Sequence, residues 1–211
     1  MWRLVLSALS LAFYAWLAHW LMVNAPDSPW ALAWLLGPPL VMAAGLAAAR
    51  RRWRTLALSG SALAALGWLM AKGGLGDVQR LYVLQHALIN GAIGTVFAAT
   101  LRAGRVPMIT SVALKVHGGQ MQAAKFPYTR RVTEAWVAYF FGVVLLSLLL
   151  YGFANWAVWS AFANFVTPLL AGALLVGEWR LRYWLHPEFE RVPISVAIRA
   201  FREPGGAVSQ R

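Results

Sequence analysis

Six long apolar runs separated by short polar connections dominate the chain. They lie at about Leu4 to Val23, Trp30 to Ala49, Thr55 to Ala71, Leu81 to Leu101, Ala135 to Phe153 and Trp156 to Val176, the third being the shortest. Crossing the hydrocarbon core of a bilayer takes about 20 apolar residues. None of the runs shows the alternation of a barrel strand, and only a helix satisfies its own backbone polar groups in lipid. The pattern predicts an all-α polytopic membrane protein: a domain of six transmembrane helices over 1–182, containing a loop at 102–132, and a tail over 183–211. The first run, preceded by Arg3, also has the outline of a signal peptide. Its bulky Phe13, Tyr14, Trp16 and Trp20, with no convincing small-residue cleavage site, favour a retained span.

Composition agrees. Of 211 residues, 60% are hydrophobic and 12% charged, too apolar for a soluble domain of this length. The absence of cysteine excludes disulfides, thiol nucleophiles and Cys-ligated metals.

The net charge of +12 points to topology rather than to nucleic acid, because the basic residues sit in the connections. Seventeen of the nineteen fall at Arg3, after the second run, after the fourth and in the tail, against Lys72 and Arg80 in the opposite connections. The positive-inside rule places both termini, the loop and the tail in the cytoplasm. Trp2, Trp20, Trp30, Trp53, Trp136, Trp156 and Trp179 near the run ends form the expected aromatic belt.

Two connecting segments carry helical spacing. Met108, Ile109, Val112 and Val116 recur before Gly118 and Gly119 break the pattern, and Ile194, Ile198 and Phe201 recur in the tail beside Arg191, Arg199 and Arg202. Each is either a short basic helix on the anionic inner leaflet or an irregular segment.

Inside the runs, polar side chains are few. His86 and Asn90 share a face at i, i+4 in the fourth run, next to Gln85; His19 lies near the same end of the first. With Asn164 they make a candidate intramembrane polar pocket, set against plain interhelical hydrogen bonding, which their positions favour. Pro168 after Asn164 and Thr167, and Pro38-Pro39, predict helix interruptions with freed carbonyls. Gly91 with Gly94, and Gly172 with Gly177, predict close helix approaches.

Catalysis finds little support. None of the seven acids lies in mid-run, and none pairs at metal or acid–base spacing. His117 leads Gly-Gly-Gln-Met-Gln rather than an acyltransferase box, and phosphate-loop, Gly-x-Ser-x-Gly and HExxH motifs are absent. No metal or cofactor is expected. Inverted repeats and buried charges, the marks of a carrier, are also missing.

The richest stretches are "YTRRVTEAWVAYFF" and "NWAVWSAFANFVTPLLAGALLVGEWRLR". They resemble a poorly characterised family of small bacterial inner-membrane proteins encoded beside aryl polyene and xanthomonadin-type pigment biosynthesis genes. The matching residues are Tyr128, Thr129, Arg130, Arg131, Val132, Thr133, Trp136, Trp159, Asn164, Gly177, Glu178 and Trp179, and "RLYVLQHALINGAIG" looks like the family's preceding span. The chain departs from it in the glycine-containing loop and in the tail after Arg182. The resemblance implies a multi-pass protein of the bacterial inner membrane, and a pathway more than a reaction.

Antiparallel neighbours joined near Gly152 to Asn155 bring the arginines before the fifth run close to Glu178 after the sixth. Glu178 is then expected to pair with Arg130 or Arg131, or with Arg182 at i, i+4 in its own helix. Tyr128, Thr129, Arg130, Arg131, Glu134, Trp136, Glu178, Trp179 and Arg182 are thus either a structural clamp or a phosphate- or partner-binding site. The leading expectation is a non-catalytic accessory or scaffold protein for an acyl or aryl polyene lipid. Its partners are membrane lipids and, at the cytoplasmic face, acyl carrier protein or biosynthetic enzymes, with no nucleic acid. An integral-membrane acyl-group transferase and a lipid or pigment translocator are the alternatives.

Overall fold

A computed structural model describes residues 2–25, 28–72 and 78–185, with the backbone alone at 3–5, 7, 8 and 70. All regular structure among them is helical. The order is α1 (Trp2–Asn24), α2 (Pro29–Ala49), α3 (Trp53–Ala71), α4 (Val78–Thr100), α5 (Met108–Val116), α6 (Lys125–Phe153), α7 (Trp156–Ala161), a π-turn (Phe162–Val166) and α8 (Thr167–Leu185). The tail segment around Ile194, Ile198 and Phe201, expected as either a short basic helix or an irregular stretch, lies outside the described residues.

Four stretches, Pro29–Ala49, Val78–Thr100, Lys125–Phe153 and Trp156–Leu185, are long and apolar enough to cross a membrane. Apolar side chains on them face outward: Met42 and Leu169 are each more than 70% exposed, which suits lipid and not water. The chain is a helical membrane protein. α1 and α3 are helices of 23 and 19 residues over the first and third predicted runs. At 29 residues, α6 begins ten residues before the expected span, so the "YTRRVT" stretch is helical. At about 1.5 Å per residue, α6 is longer than the ~30 Å hydrocarbon core.

Local chemistry explains the element ends. Ser28 caps α2, its Oγ accepting the Trp30 N–H at 3.3 Å, and Pro29 occupies the first turn, where no N–H is needed. Asn155 caps α7 through Oδ1 on the Val158 N–H at 2.9 Å. Gly118 and Gly119 follow α5 with φ of 64° and 88°, the left-handed conformation that glycine adopts without strain.

The chain divides into two compact units, Met1–His86 with Ser147–Val166, and Ala87–Leu146 with Thr167–Arg211. In the first, Leu21, Met22, Ala31, Leu32, Leu35, Leu66, Val78, Tyr82, Val83 and Trp159 form the core. Here α2 runs through Pro38 and Pro39 without a break. A proline has no N–H, so the carbonyls four residues earlier, those of Trp34 and Leu35, lose their helical donors. Tyr14 Oη donates to the Trp34 carbonyl at 3.4 Å, and Gln85 Nε2 to the Leu35 carbonyl at 3.4 Å. Pro168 is accommodated differently, by widening the preceding turn into the π-turn that contains Asn164.

In the second unit, Gly94 lets α4 and α6 approach closely, since a Cβ there would stand 3.0 Å from Phe140 Cβ. Gly172 and Gly177 have no such neighbour within 4 Å, so the close approach expected there is absent among the described residues.

Candidate functional site

The "YTRRVT" stretch forms the second and third turns of α6, and its side chains divide into three roles. Tyr128 reaches α8, where its Oη donates to Glu178 Oε1 at 3.0 Å. Arg182 closes on the same carboxylate, with Nε at 2.9 Å from Oε1 and one terminal nitrogen at 2.6 and 2.7 Å from Oε1 and Oε2. The Glu178 side chain is only 12% exposed, so these charge-assisted bonds act where water competes little. The Arg182 guanidinium also lies 6.0 Å from the centre of the Tyr128 ring. Trp179 packs edge-on against Tyr183 at 5.6 Å.

Of the three arginines expected as partners of Glu178, the described structure gives the acid to Arg182. Arg130 instead pairs with Glu134 at 3.1 Å along its own helix, and donates to the Leu101 carbonyl at 3.4 Å. The reason is reach: residues four apart on a helix are neighbours. Arg131 is exposed, with no side-chain partner among the described residues.

Thr129 and Thr133 are buried and hold α5. Pro107, the residue before α5, has no side chain able to cap the helix. The first N–H groups of α5 therefore need other acceptors. Met108 N–H finds Thr100 Oγ1 at 2.9 Å, and Ile109 N–H finds Thr133 Oγ1 at 3.2 Å. Each hydroxyl also donates to its own helix, Thr100 to the Phe97 carbonyl at 2.6 Å and Thr133 to that of Thr129 at 2.9 Å. Thr110, on the buried side of α5, shares a 2.7 Å hydrogen bond with Thr129. Four threonines from three helices thus pin the loop helix to α4 and α6. Trp136 packs beside Phe97, Tyr139 and Phe140, with ring centres at 6.4, 5.6 and 5.7 Å.

Two members of the expected intramembrane pocket, His86 and Asn164, lie in the first unit. His86 Nδ1 lies 3.1 Å from Ser147 Oγ, and Trp159 Nε1 donates to the carbonyl and hydroxyl oxygens of Ser147 at 3.0 and 3.1 Å. Asn164 Nδ2 instead donates to the Ser160 carbonyl at 2.9 Å. His86 and Asn164 therefore serve different serines, both fully buried. Asn90 is buried within the second unit.

Sequence reasoning passed over Ser147, Ser160, Met22, Thr100 and Thr110. A serine or threonine in a helix can bond its own preceding turn, so its type alone does not reveal an interhelical role. A searchable signal did exist for Tyr14 and Gln85, because two adjacent prolines announce two carbonyls in need of donors. Scans of family models, curated proteins and solved structures find no match to this chain.

Proposed function

We propose that the protein is a non-catalytic accessory or scaffold of the bacterial inner membrane, crossing it six times with both termini in the cytoplasm. On this reading it supports the biosynthesis or transfer of an acyl or aryl polyene lipid by docking acidic partners on a basic face. The observation that carries it lies in the second unit. Arg102, Arg105, Lys115, Arg131 and Arg180 are exposed and have no side-chain partner among the described residues. The segment 101–133 holds six basic residues and no acid. Its central helix is fastened by Thr100, Thr129 and Thr133, so charges such as Lys115 ride on an ordered frame. A frame already ordered loses less entropy when an anionic partner binds, and unpaired arginines suit phosphate and carboxylate groups.

The partners fitting this surface are the phosphopantetheine phosphate and acidic surface of a carrier protein, or enzymes that use one, with membrane lipids around the helices. The likeness of the Tyr128–Thr133 and Gly177–Trp179 motifs to the pigment-associated family supplies the pathway. Engagement of His86 and Asn164 with buried serines supports packing duties for both, which favours the non-catalytic reading.

Cross-linking followed by purification in mild detergent tests the proposal. Wild-type protein should bring down a carrier protein or a biosynthetic enzyme, and Arg102→Glu/Arg105→Glu/Arg131→Glu should lose it while keeping its yield. Recovery of neither class of partner by the wild type would refute the docking role.

A further inference from the structure

Between α2 and α3 the chain carries the densest positive charge of the first unit. Arg50, Arg51, Arg52 and Arg54 fill four of five consecutive positions, and only three residues separate the two helices. All four are exposed, and none has a side-chain partner among the described residues. The described residues of this unit include no Asp or Glu, and the nearest acids in sequence, Asp27 and Asp77, lie beyond the far ends of α2 and α3.

Helix dipoles account for half of this charge. Arg50 and Arg51 follow the last turn of α2, where a cation complements the dipole. Arg52 and Arg54 stand at the opposite pole, the start of α3, whose first turn contains no acid. There the dipole and the neighbouring cations both oppose them, and the described part of the unit supplies no counter-charge.

The backbone holds the four together. The Arg50, Arg51 and Arg52 N–H groups donate to the Leu46, Ala48 and Ala47 carbonyls at 3.0, 3.1 and 2.9 Å, and the Arg52 carbonyl accepts from the Leu56 N–H at 3.0 Å. This ending leaves Arg51 at a φ of 51°, the only positive φ outside glycine among the described residues. Glycine is the usual occupant of such a position, because a Cβ is strained there. A guanidinium thus sits where the fold alone favours none.

Since α2 is long and apolar enough to cross a membrane, the turn that ends it lies at headgroup level. Trp53, which opens α3, is 71% exposed, as suits an indole at that depth. The anions concentrated there are phosphodiesters. Arginine grips them with two parallel N–H···O bonds, whereas lysine meets them as a point charge. We propose that the α2–α3 turn binds the phosphate of an acidic phospholipid headgroup, with Arg50, Arg51, Arg52 and Arg54 as donors and Trp53 at the edge of the acyl region. The site belongs to the first unit alone and is independent of the docking proposal.

The test uses purified full-length protein in neutral detergent, where orientation plays no part. Native mass spectrometry and thermal unfolding follow its titration with phosphatidylglycerol or phosphatidylcholine. Wild-type protein should retain one phosphatidylglycerol per chain and gain thermal stability, and phosphatidylcholine should give neither. The variant Arg50→Lys/Arg51→Lys/Arg52→Lys/Arg54→Lys keeps the charge that orients a span, yet should bind phosphatidylglycerol about threefold or more weakly. Arg51→Gly should weaken binding about fivefold, the worth of one basic residue at an anionic surface, while its Tm without lipid stays level or rises. That combination does not arise from a damaged fold. Equal binding of the two lipids, wild-type affinity in either variant, or equal stabilisation by inorganic phosphate would overturn the site.

Discussion

Glu178 accepts three donors from two residues, Tyr128 and Arg182, while Glu134 holds one half-exposed contact with Arg130. The two acids differ in what their removal leaves behind. Without Glu178, a mostly buried guanidinium and phenol lose their common acceptor; without Glu134, Arg130 returns to water. In a cycle of Tyr128→Phe and Glu178→Gln, the coupling should be about 0.5–1.5 kcal/mol. The cycle of Arg130→Ala and Glu134→Ala should give less than about 0.5 kcal/mol and vanish in high salt. Reversible unfolding in mixed micelles measures both, and equal couplings would show that burial of Glu178 has no energetic weight. Thr133 is the other decisive side chain, since its hydroxyl both accepts from Ile109 and donates to Thr129 inside a fully buried contact. Thr133→Val keeps the shape but strands the Ile109 N–H, a cost of about 1–3 kcal/mol. Amide exchange across Met108–Val116 should rise in Thr133→Val and return toward wild type in Thr133→Ser. Unchanged protection would mean that packing alone holds α5.

At the level of elements, what could be read in advance was whatever depends on residues near one another in the chain. The apolar spacing of Met108, Ile109, Val112 and Val116, stopped by two glycines, left a short helix and an irregular segment both open, and the helix is what forms; Glu178 with Arg182 is an ordinary helical i, i+4 pair. Each long helix was legible from its apolar length. The approach of the Tyr128–Arg131 stretch to Glu178 was expected from the antiparallel turn, but which side chains bond across distant segments was not. Tyr128 and Glu178 are 50 residues apart, and Ser160 is 141 from His19. Of the polar groups inside the runs, His86 meets Ser147 of another helix, while Asn164 bonds the Ser160 carbonyl one turn earlier in its own stretch. The π-turn was foreshadowed by Pro168, which required some local adjustment without dictating which. Glycine spacing was an uneven guide: Gly94 sits against Phe140, whereas Gly172 and Gly177 meet nothing within 4 Å.

For the whole molecule, the proposed six crossings turn on α1 and α3, since the other apolar stretches already suffice to cross in length and composition. The chain has no cysteine, so single thiols can report sidedness without background. With a membrane-impermeant maleimide on intact cells, Lys72→Cys and Phe153→Cys should label at once, and Arg52→Cys and Lys115→Cys only after permeabilisation. If Lys72→Cys behaves like Arg52→Cys, α3 does not cross; a full inversion would reverse the orientation. The proline carbonyls of α2 add a constraint on the order of events. Trp34 can find Tyr14 as soon as α2 meets α1, but Leu35 must wait for Gln85, 50 residues further along the chain. At about 5–20 residues per second that is an interval of about 3–10 seconds. During that interval α2 carries an unanswered polar group into an apolar medium, and the hydrogen bond that ends it belongs to a helix not yet made. Maturation of the first unit is thus tied to the arrival of α4: a ribosome stalled before Gln85 leaves α2 in need of water, a translocation partner or a chaperone.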